Sequence, residues 1–130
     1  MLPIRAAKKP RRIENRTVLL ARCGTLVGIS RRPKTGLLAG LWELPALEGH
    51  PSPDETRAAL AARGWQVEKF LSLRPAKHIF THVEWRMNGY YIELAAPPEG
   101  LIFVSPTSLR TEYALPSAFR PFLSVIEEEA

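Results

Sequence analysis

A short segment in the middle of the chain carries the signals for both ends of one helix. Ser52 can act as the N-cap, Pro53 suits the first helical position, and Glu55 completes a capping box with Ser52. An alanine-rich run follows, and Gly64 is the residue type favoured just beyond a helix C-terminus. The sequence therefore predicts one helix over residues 53–63, and its many alanines favour a helix packed on a sheet.

The segments on either side of this helix have the apolar and β-branched composition of strands. Two of them, residues 17–22 and 25–30, flank Cys23-Gly24 and predict a hairpin. Two more strands are predicted at residues 66–73 and 101–104. Cys23, at the tip of the predicted hairpin, is interpreted as structurally incidental.

A second hairpin is predicted around Asn88 and Gly89, the residue pair that a type I′ turn prefers. Its strands would be residues 82–87 and 90–95. A two-residue turn would set Trp85 opposite Ile92 on one apolar face of this hairpin.

The end of the chain has a helical pattern. Ser105 and Pro106 predict a brief helical turn, and Pro116 with Ser117 leads into a final amphipathic helix. The apolar side of that helix carries Phe119, Phe122, Leu123 and Ile126. Together these elements predict a mixed α/β sandwich with one sheet, a helix near the middle and a helix at the end.

Length and composition limit the kinds of protein that this chain can be. A chain of 130 residues is the size of one domain, and it has no run of about 18 apolar residues to form a transmembrane helix. Residues 1–30 lack the apolar segment of a secretory signal. A single cysteine excludes an internal disulfide, a cysteine-rich zinc site and an iron–sulfur cluster.

The net charge of +5 is concentrated at the start of the chain. Residues 1–16 contain one acidic residue, Glu14, and six basic residues, which are Arg5, Lys8, Lys9, Arg11, Arg12 and Arg16. Pro3 and Pro10 favour extended chain, so residues 1–16 are predicted to form a basic linker or arm ahead of a neutral domain over residues 17–130. Such an arm is either a solvated surface or a contact for a polyanion such as nucleic acid.

The sequence GLWELP at residues 40–45, followed by a helix that ends RAALAARG, resembles the Nudix family. In active members an Arg-Glu-x-x-Glu-Glu-x-Gly helix holds a divalent metal against a substrate diphosphate. Arg57 and Gly64 match this pattern, whereas its three acidic positions are Ala58, Ala61 and Ala62. Alanine offers no oxygen to a metal. The resemblance thus implies a Nudix-like α/β/α sandwich with a mixed sheet and two main helices, without the metal site.

Three further stretches resemble the C-terminal domain of the MutY family of A/G-specific adenine DNA glycosylases. They are RRPKTGLLAGLWELP at residues 31–45, KHIFTHVEW at residues 77–85 and YALPSAF at residues 113–119. The resemblance covers the chain from about Pro3 to Phe122, and it likens the basic start to the linker that joins this domain to an N-terminal catalytic domain. In that family, the C-terminal domain recognises 8-oxoguanine paired with adenine during base excision repair.

The resemblance implies a lesion-recognition loop at Phe80, Thr81 and His82, where the family usually has Phe-Ser-His. A hydroxyl can accept a hydrogen bond from N7–H of 8-oxoguanine and donate to O6, whereas N7 of guanine is only an acceptor. Thr81 keeps this hydroxyl with a stiffer side chain. The residues alone leave other roles open. Thr81 could be an ordinary strand residue, His82 could contact a base or a phosphate or simply pack, and Phe80 could anchor the loop.

Basic residues near these stretches are candidate contacts for DNA phosphates, and solvated charge is the alternative. They are Arg31, Arg32, Lys34, Arg74 and Lys77, together with the basic arm. Phosphate contacts of this kind would make binding fall steeply with salt.

The resemblance also implies what this chain lacks. The family's iron–sulfur cluster and glycosylase active site belong to a separate helical domain, so we expect no cofactor, no metal site, no catalytic residue and no glycosylase activity in these 130 residues. The expected partners are duplex DNA with 8-oxoguanine opposite adenine and the catalytic domain of the same protein, with no membrane. We expect a bacterial protein of the cytoplasm. A divergent Nudix nucleotide hydrolase and a protein-interaction module are the alternatives.

Overall fold

The protein is built on one mixed sheet, and its computed structural model describes residues 10–129. The strands are β1 (Arg12–Cys23), β2 (Leu26–Arg31), β3 (Trp42–Glu43), β4 (Ala46–Glu48), β5 (Val67–Ile79), β6 (Val83–Leu94) and β7 (Ile102–Val104). The helices are α1 (Pro53–Ala62), α2 (Pro106–Thr111) and α3 (Arg120–Glu129), and a 3-10 helix at Ser117–Phe119 leads into α3. No helix among the described residues is both long and apolar enough to cross a membrane.

The sheet is organised around two long central strands, β1 and β6. Its strand order is β3-β2-β1-β6-β5, while β4 pairs with β1 and β7 pairs with β2. β1 and β6 run parallel, from Arg12 opposite Val83 to Arg22 opposite Glu93, and the other strand pairs are antiparallel. β5 and β6 therefore form a long hairpin at one edge of the sheet.

Helices cover both faces of this sheet. Alternate residues of each strand point to opposite sides, so both faces carry apolar side chains that need to be buried. On one face, Val18 and Leu20 of β1 pack in a cluster with Phe119 and Phe122. On the other face, Leu19 and Ala21 pack with Leu60 of α1 and with Trp65. The predicted α/β/α sandwich with a mixed sheet and two main helices is confirmed.

The ends of α1 are those that the sequence predicts. The Ser52 hydroxyl accepts a hydrogen bond from the Glu55 backbone N–H at 3.1 Å, and the Glu55 carboxylate accepts one from the Ser52 N–H at 2.8 Å. Gly64 follows the helix with φ of +82°, a left-handed conformation that glycine adopts without strain.

The predicted hairpin at Asn88 and Gly89 is wrong, because β6 runs through both residues without turning. Asn88 pairs with Thr17 of β1, and Gly89 pairs with Val18. Gly89 is required for a different reason. A Cβ atom there would lie 2.5 Å from Cε1 of Phe122, so the glycine allows an aromatic ring of α3 to pack directly on the strand.

Other strands differ from prediction mainly in length. The β1–β2 hairpin is confirmed, with Cys23 as the last residue of β1 and Gly24 in the turn. β1 begins at Arg12 rather than Thr17, so residues 12–16 of the predicted basic arm belong to the sheet. The first nine residues of that arm, which include Arg5, Lys8 and Lys9, lie outside the described residues. β5 continues to Ile79, well beyond its predicted end, and carries an irregularity between Leu73 and Ala76.

Candidate nucleic-acid interface

The β5–β6 hairpin ends in a tight turn formed by Phe80, Thr81 and His82. The Phe80 backbone N–H donates to the Val83 carbonyl at 2.7 Å, and the Arg12 N–H donates to the His82 carbonyl at 3.0 Å. These two hydrogen bonds fix the turn to both β6 and β1. The side chains of Thr81 and His82 are exposed and make no hydrogen bond to any described residue. Their polar atoms are therefore available to a ligand.

Phe80 holds this turn against the core. Its ring lies edge-on to His78, with centroids 4.7 Å apart, and edge-on to Trp85, with centroids 5.1 Å apart. Trp85 is fully buried. Aromatic pairs at these separations add to the stability gained from burial. Phe80 therefore anchors the turn, while the side chains of Thr81 and His82 are exposed.

Trp85 is in turn packed against two arginines. The guanidinium carbons of Arg16 and Arg32 lie 4.4 and 5.2 Å from the centre of its ring. The Glu43 carboxylate bridges the two arginines, accepting from Arg16 at 3.3 Å and from Arg32 at 3.0 Å. Burial lowers the pKa of Arg16, and the charge of Glu43 opposes that shift. Three strands and the loop after β2 thus meet beneath the turn.

The predicted phosphate contacts lie in different parts of the fold. Arg31 is the last residue of β2, and Lys34 lies in the loop that follows; both are exposed. The guanidinium carbon of Arg31 lies 5.0 Å from the centre of the Trp42 ring. Lys77 is exposed on β5, close to the turn. Arg74 is exposed at the irregularity of β5, beside α3.

Arg32 differs from the other predicted contacts because its side chain is already bonded. That side chain is only 12% exposed. It donates to the Leu37 carbonyl at 2.9 Å as well as to Glu43. We assign Arg32 to the support of Trp85 rather than to the surface.

The sequence did not identify Arg16 and Glu43 as partners, because their contact joins strands that are far apart in the chain. It also missed Glu84 and Arg86, which lie two residues apart on β6. Their alternation with buried Trp85 and Met87 is the signal that could have revealed them.

The residues of α1 do not fit the metal site of active Nudix enzymes. Ala58, Ala61 and Ala62 are all exposed on the helix, and none has an oxygen ligand to offer. No group of three or more His, Cys, Asp or Glu residues in the described part of the chain could hold a metal ion.

Residues 17–125 match the NUDIX domain family. The adenine DNA glycosylase of Homo sapiens is 31% identical over 105 residues, which cover 71% of this chain and 19% of that protein. The chain thus spans about a fifth of the length of the curated relatives it matches.

Two solved structures show the same fold. One is the C-terminal domain of mouse MUTYH in complex with human PCNA, with a TM-score of 0.67, 22% identity, and coverage of 89% of this chain and 88% of that one. The other is the MutT protein of methicillin-resistant Staphylococcus aureus 252, a Nudix hydrolase, with a TM-score of 0.66, 14% identity, and coverage of 92% and 99%. The domain match covers most of the sequence, and the sheet with helices on both faces agrees with it. The chain therefore belongs to the NUDIX domain family.

Proposed function

We propose that this chain recognises 8-oxoguanine paired with adenine in duplex DNA, as the C-terminal domain of an adenine DNA glycosylase in base excision repair. The similarity to adenine DNA glycosylase supports this role. The observation that carries it is the Phe80–Thr81–His82 turn, in which an anchored ring presents one hydroxyl and one imidazole to solvent.

Thr81 would read the oxidised base through its hydroxyl. Oxidation converts N7 of guanine from an acceptor to an N–H donor and adds an oxygen at C8. The Thr81 hydroxyl can accept from N7–H and donate to O6. One such contact is worth roughly 1–3 kcal/mol, which favours the lesion without excluding guanine, since a hydroxyl can also donate to an N7 acceptor.

The remaining residues of the interface would position the duplex. The imidazole of His82 is exposed beside Thr81 and can donate to a phosphate or to a base. Arg31, Lys34 and Lys77 are exposed and suited to phosphates, which fix orientation and carry no sequence information. The glycosylase chemistry and the iron–sulfur cluster of the family would belong to an N-terminal catalytic domain, with no cofactor bound by this chain.

The test is the affinity of the chain for two duplexes at low salt, one with 8-oxoguanine and one with guanine opposite adenine. Thr81→Ala is expected to reduce the preference for the lesion by about tenfold, because one base contact is lost. Its affinity for the guanine duplex should change much less. Thr81→Ser keeps the hydroxyl and should keep the preference.

The matched control is Thr25→Ala, which alters an exposed threonine in the turn of the β1–β2 hairpin. It should leave both affinities unchanged. A native chain that binds the two duplexes equally, or a Thr81→Ala variant with undiminished preference, would contradict the proposal.

Two other functions make different predictions. A Nudix hydrolase would release pyrophosphate from oxidised dGTP with added Mg²⁺, and we expect none, because the three acidic positions of the metal helix are alanines. A protein-interaction role is the second candidate, since the solved mouse relative is in complex with human PCNA. Competition of an acidic polymer with the lesion duplex distinguishes a general acidic partner from DNA.

A further inference from the structure

The β5–β6 hairpin has a second polar surface next to its turn, on the side of the sheet that carries α1. The cross-strand pairs Ile79–Glu84 and Lys77–Arg86 bring four side chains together on this side. Ile13 of β1 lies on the opposite flank of Glu84. We call this surface the outer face and define it by Ile13, Lys77, Ile79, Glu84 and Arg86, together with Arg11, the residue before β1.

Glu84 is a buried carboxylate at the centre of the outer face. Its side chain is 8% exposed, whereas those of Arg11 and Arg86 are 44% and 52% exposed. Glu84 accepts from Arg86 at 2.8 Å and from Arg11 at 3.5 Å. The hydrogen bond from Arg86, followed by the charges of Arg86, Lys77 and Arg11, lowers the pKa of Glu84. The carboxylate is therefore ionised and surrounded by cations.

The outer face carries an excess of positive charge. Three cations, Arg11, Lys77 and Arg86, surround one carboxylate, and all three are exposed. A single ion pair would need only one of them. Ile13 and Ile79 flank Glu84 and are each 46% exposed, so apolar surface lies between the charges.

We propose that the outer face binds the sugar–phosphate backbone of one DNA strand, with Glu84 as the residue that positions its cations. This inference rests on the proposed function and adds a binding surface to it. Arg11, Lys77 and Arg86 would contact phosphates, and the two isoleucines would pack on deoxyribose.

Charge and location both favour a DNA backbone as the occupant. The outer face has more cations than carboxylates, so its charge complements a chain of phosphates. Binding there would release the counterions of the DNA. The Ile79–Glu84 pair is the last one before the turn. A backbone on the outer face would therefore continue directly to a base at Thr81.

Glu84 would act by fixing its arginines before DNA arrives. A free arginine side chain loses rotamer entropy when it binds a phosphate, and a carboxylate that already holds the guanidinium reduces this cost. The exposed portion of each guanidinium keeps further N–H donors for a phosphate.

The test uses the 130-residue chain and measures the affinity for both duplexes across a range of salt concentrations. Lys77→Gln and Arg86→Gln should each weaken binding to lesion and undamaged duplexes by the same factor. Each should also reduce the slope of log affinity against log salt by about one. The matched control is Lys69→Gln, which removes the same charge from an exposed position of β5 far from the turn.

Glu84→Gln tests the positioning role through the sign of its effect. If only net charge mattered, removal of an acid would strengthen DNA binding. Positioning predicts weaker binding, with partial recovery in Glu84→Asp. Because loss of a buried acid can also unfold the chain, thermal unfolding of each variant is measured in parallel, and the surface variants at Lys77 and Arg86 provide an independent test.

The outcomes separate this inference from the proposed function. A native chain without lesion preference contradicts the proposed function, whatever the salt slopes are. Variants at Lys77 and Arg86 that behave like Lys69→Gln overturn the inference and leave lesion recognition intact. Competition by polyglutamate as effective as that by undamaged duplex of equal charge would assign the outer face to an acidic protein segment, which also overturns it.

Discussion

Gly89 shows how one missing side chain can fix the packing of a helix on a sheet. A Cβ atom on residue 89 would lie only 2.5 Å from the nearest ring carbon of Phe122 and 2.9 Å from the next. Phe122 is itself almost fully buried, so its ring has little space into which it can move. The approach of α3 to β6 therefore depends on a glycine at this position.

Gly89→Ala is expected to destabilise the protein by about 1–3 kcal/mol, the usual cost of overpacking a core. Denaturant unfolding monitored by tryptophan fluorescence measures this loss. The double variant Gly89→Ala with Phe122→Leu should be less destabilised than the sum of the single variants, because the smaller side chain makes room for the new methyl group. Additive losses, or an unaffected single variant, would contradict this account of Gly89.

The same residue explains why the path of β6 could not be predicted from its own sequence. Asn-Gly between apolar residues favours a turn when only local preferences are considered. Here Gly89 is instead required by a side chain of α3, more than 30 residues further along the chain. Tertiary packing overrides the local signal.

At the scale of elements, α1 has a capping box whose contribution can be measured. Ser52→Ala removes the side-chain acceptor of the Glu55 N–H and should reduce the free energy of unfolding by about 1 kcal/mol. Ser117→Ala is the matched control. Ser117 is exposed and begins the 3-10 helix, whose N-terminus has no hydrogen bond to a capping side chain. Equal effects of the two substitutions would show that the capping box does not stabilise the fold.

The elements that were predicted well are those with local determinants. The N-cap and C-terminal glycine of α1 lie within one short segment, and the turn at Gly24 lies between two clear strands. The start of β1 and the end of β5 were not predicted, because both depend on pairing with β6. The local sequence carries no signal for a partner strand.

At the scale of the whole molecule, two carboxylates connect stability to pH. The hydrogen bond from Arg12, and then that from the Trp85 indole, lowers the pKa of Glu14 against the effect of burial. The hydrogen bond from Arg86 lowers the pKa of Glu84. A carboxylate with a lowered pKa in the folded state stabilises it fully above the ordinary value of 4.5, and this contribution is lost as the pH falls through the folded-state value.

Stability should therefore decline as the pH falls below the ordinary value of 4.5. The variant with Glu14→Gln and Glu84→Gln should show a shallower decline, because the unfolded state no longer takes up these two protons. Denaturant midpoints between pH 6 and pH 3 measure it, with Glu99→Gln, an exposed acid before β7, as the control. Parallel curves for the native chain and the double variant would refute the linkage.

The candidate site could be predicted only in part. Phe80, Thr81 and His82 were identified by resemblance, and they lie together at a turn. The support beneath them could not be predicted, because Trp85, Arg16 and Glu43 come together only in the folded sheet. The outer face could not be predicted, because the predicted strand at residues 66–73 ends before Lys77 and Ile79, which pair with Arg86 and Glu84 in the folded sheet.

The chain enters the sheet at the end where the hairpin presents its turn, because the Arg12 N–H donates to the His82 carbonyl. A catalytic domain joined ahead of Arg12, as in the proposed glycosylase, would be tethered beside Thr81 and His82, the proposed contacts to the lesion. DNA released by one domain would remain at a high effective concentration for the other, so such a tether would lengthen residence on the lesion. Inserting flexible residues ahead of Pro10 would then shorten that residence while leaving the proposed DNA contacts of the turn and the outer face in place.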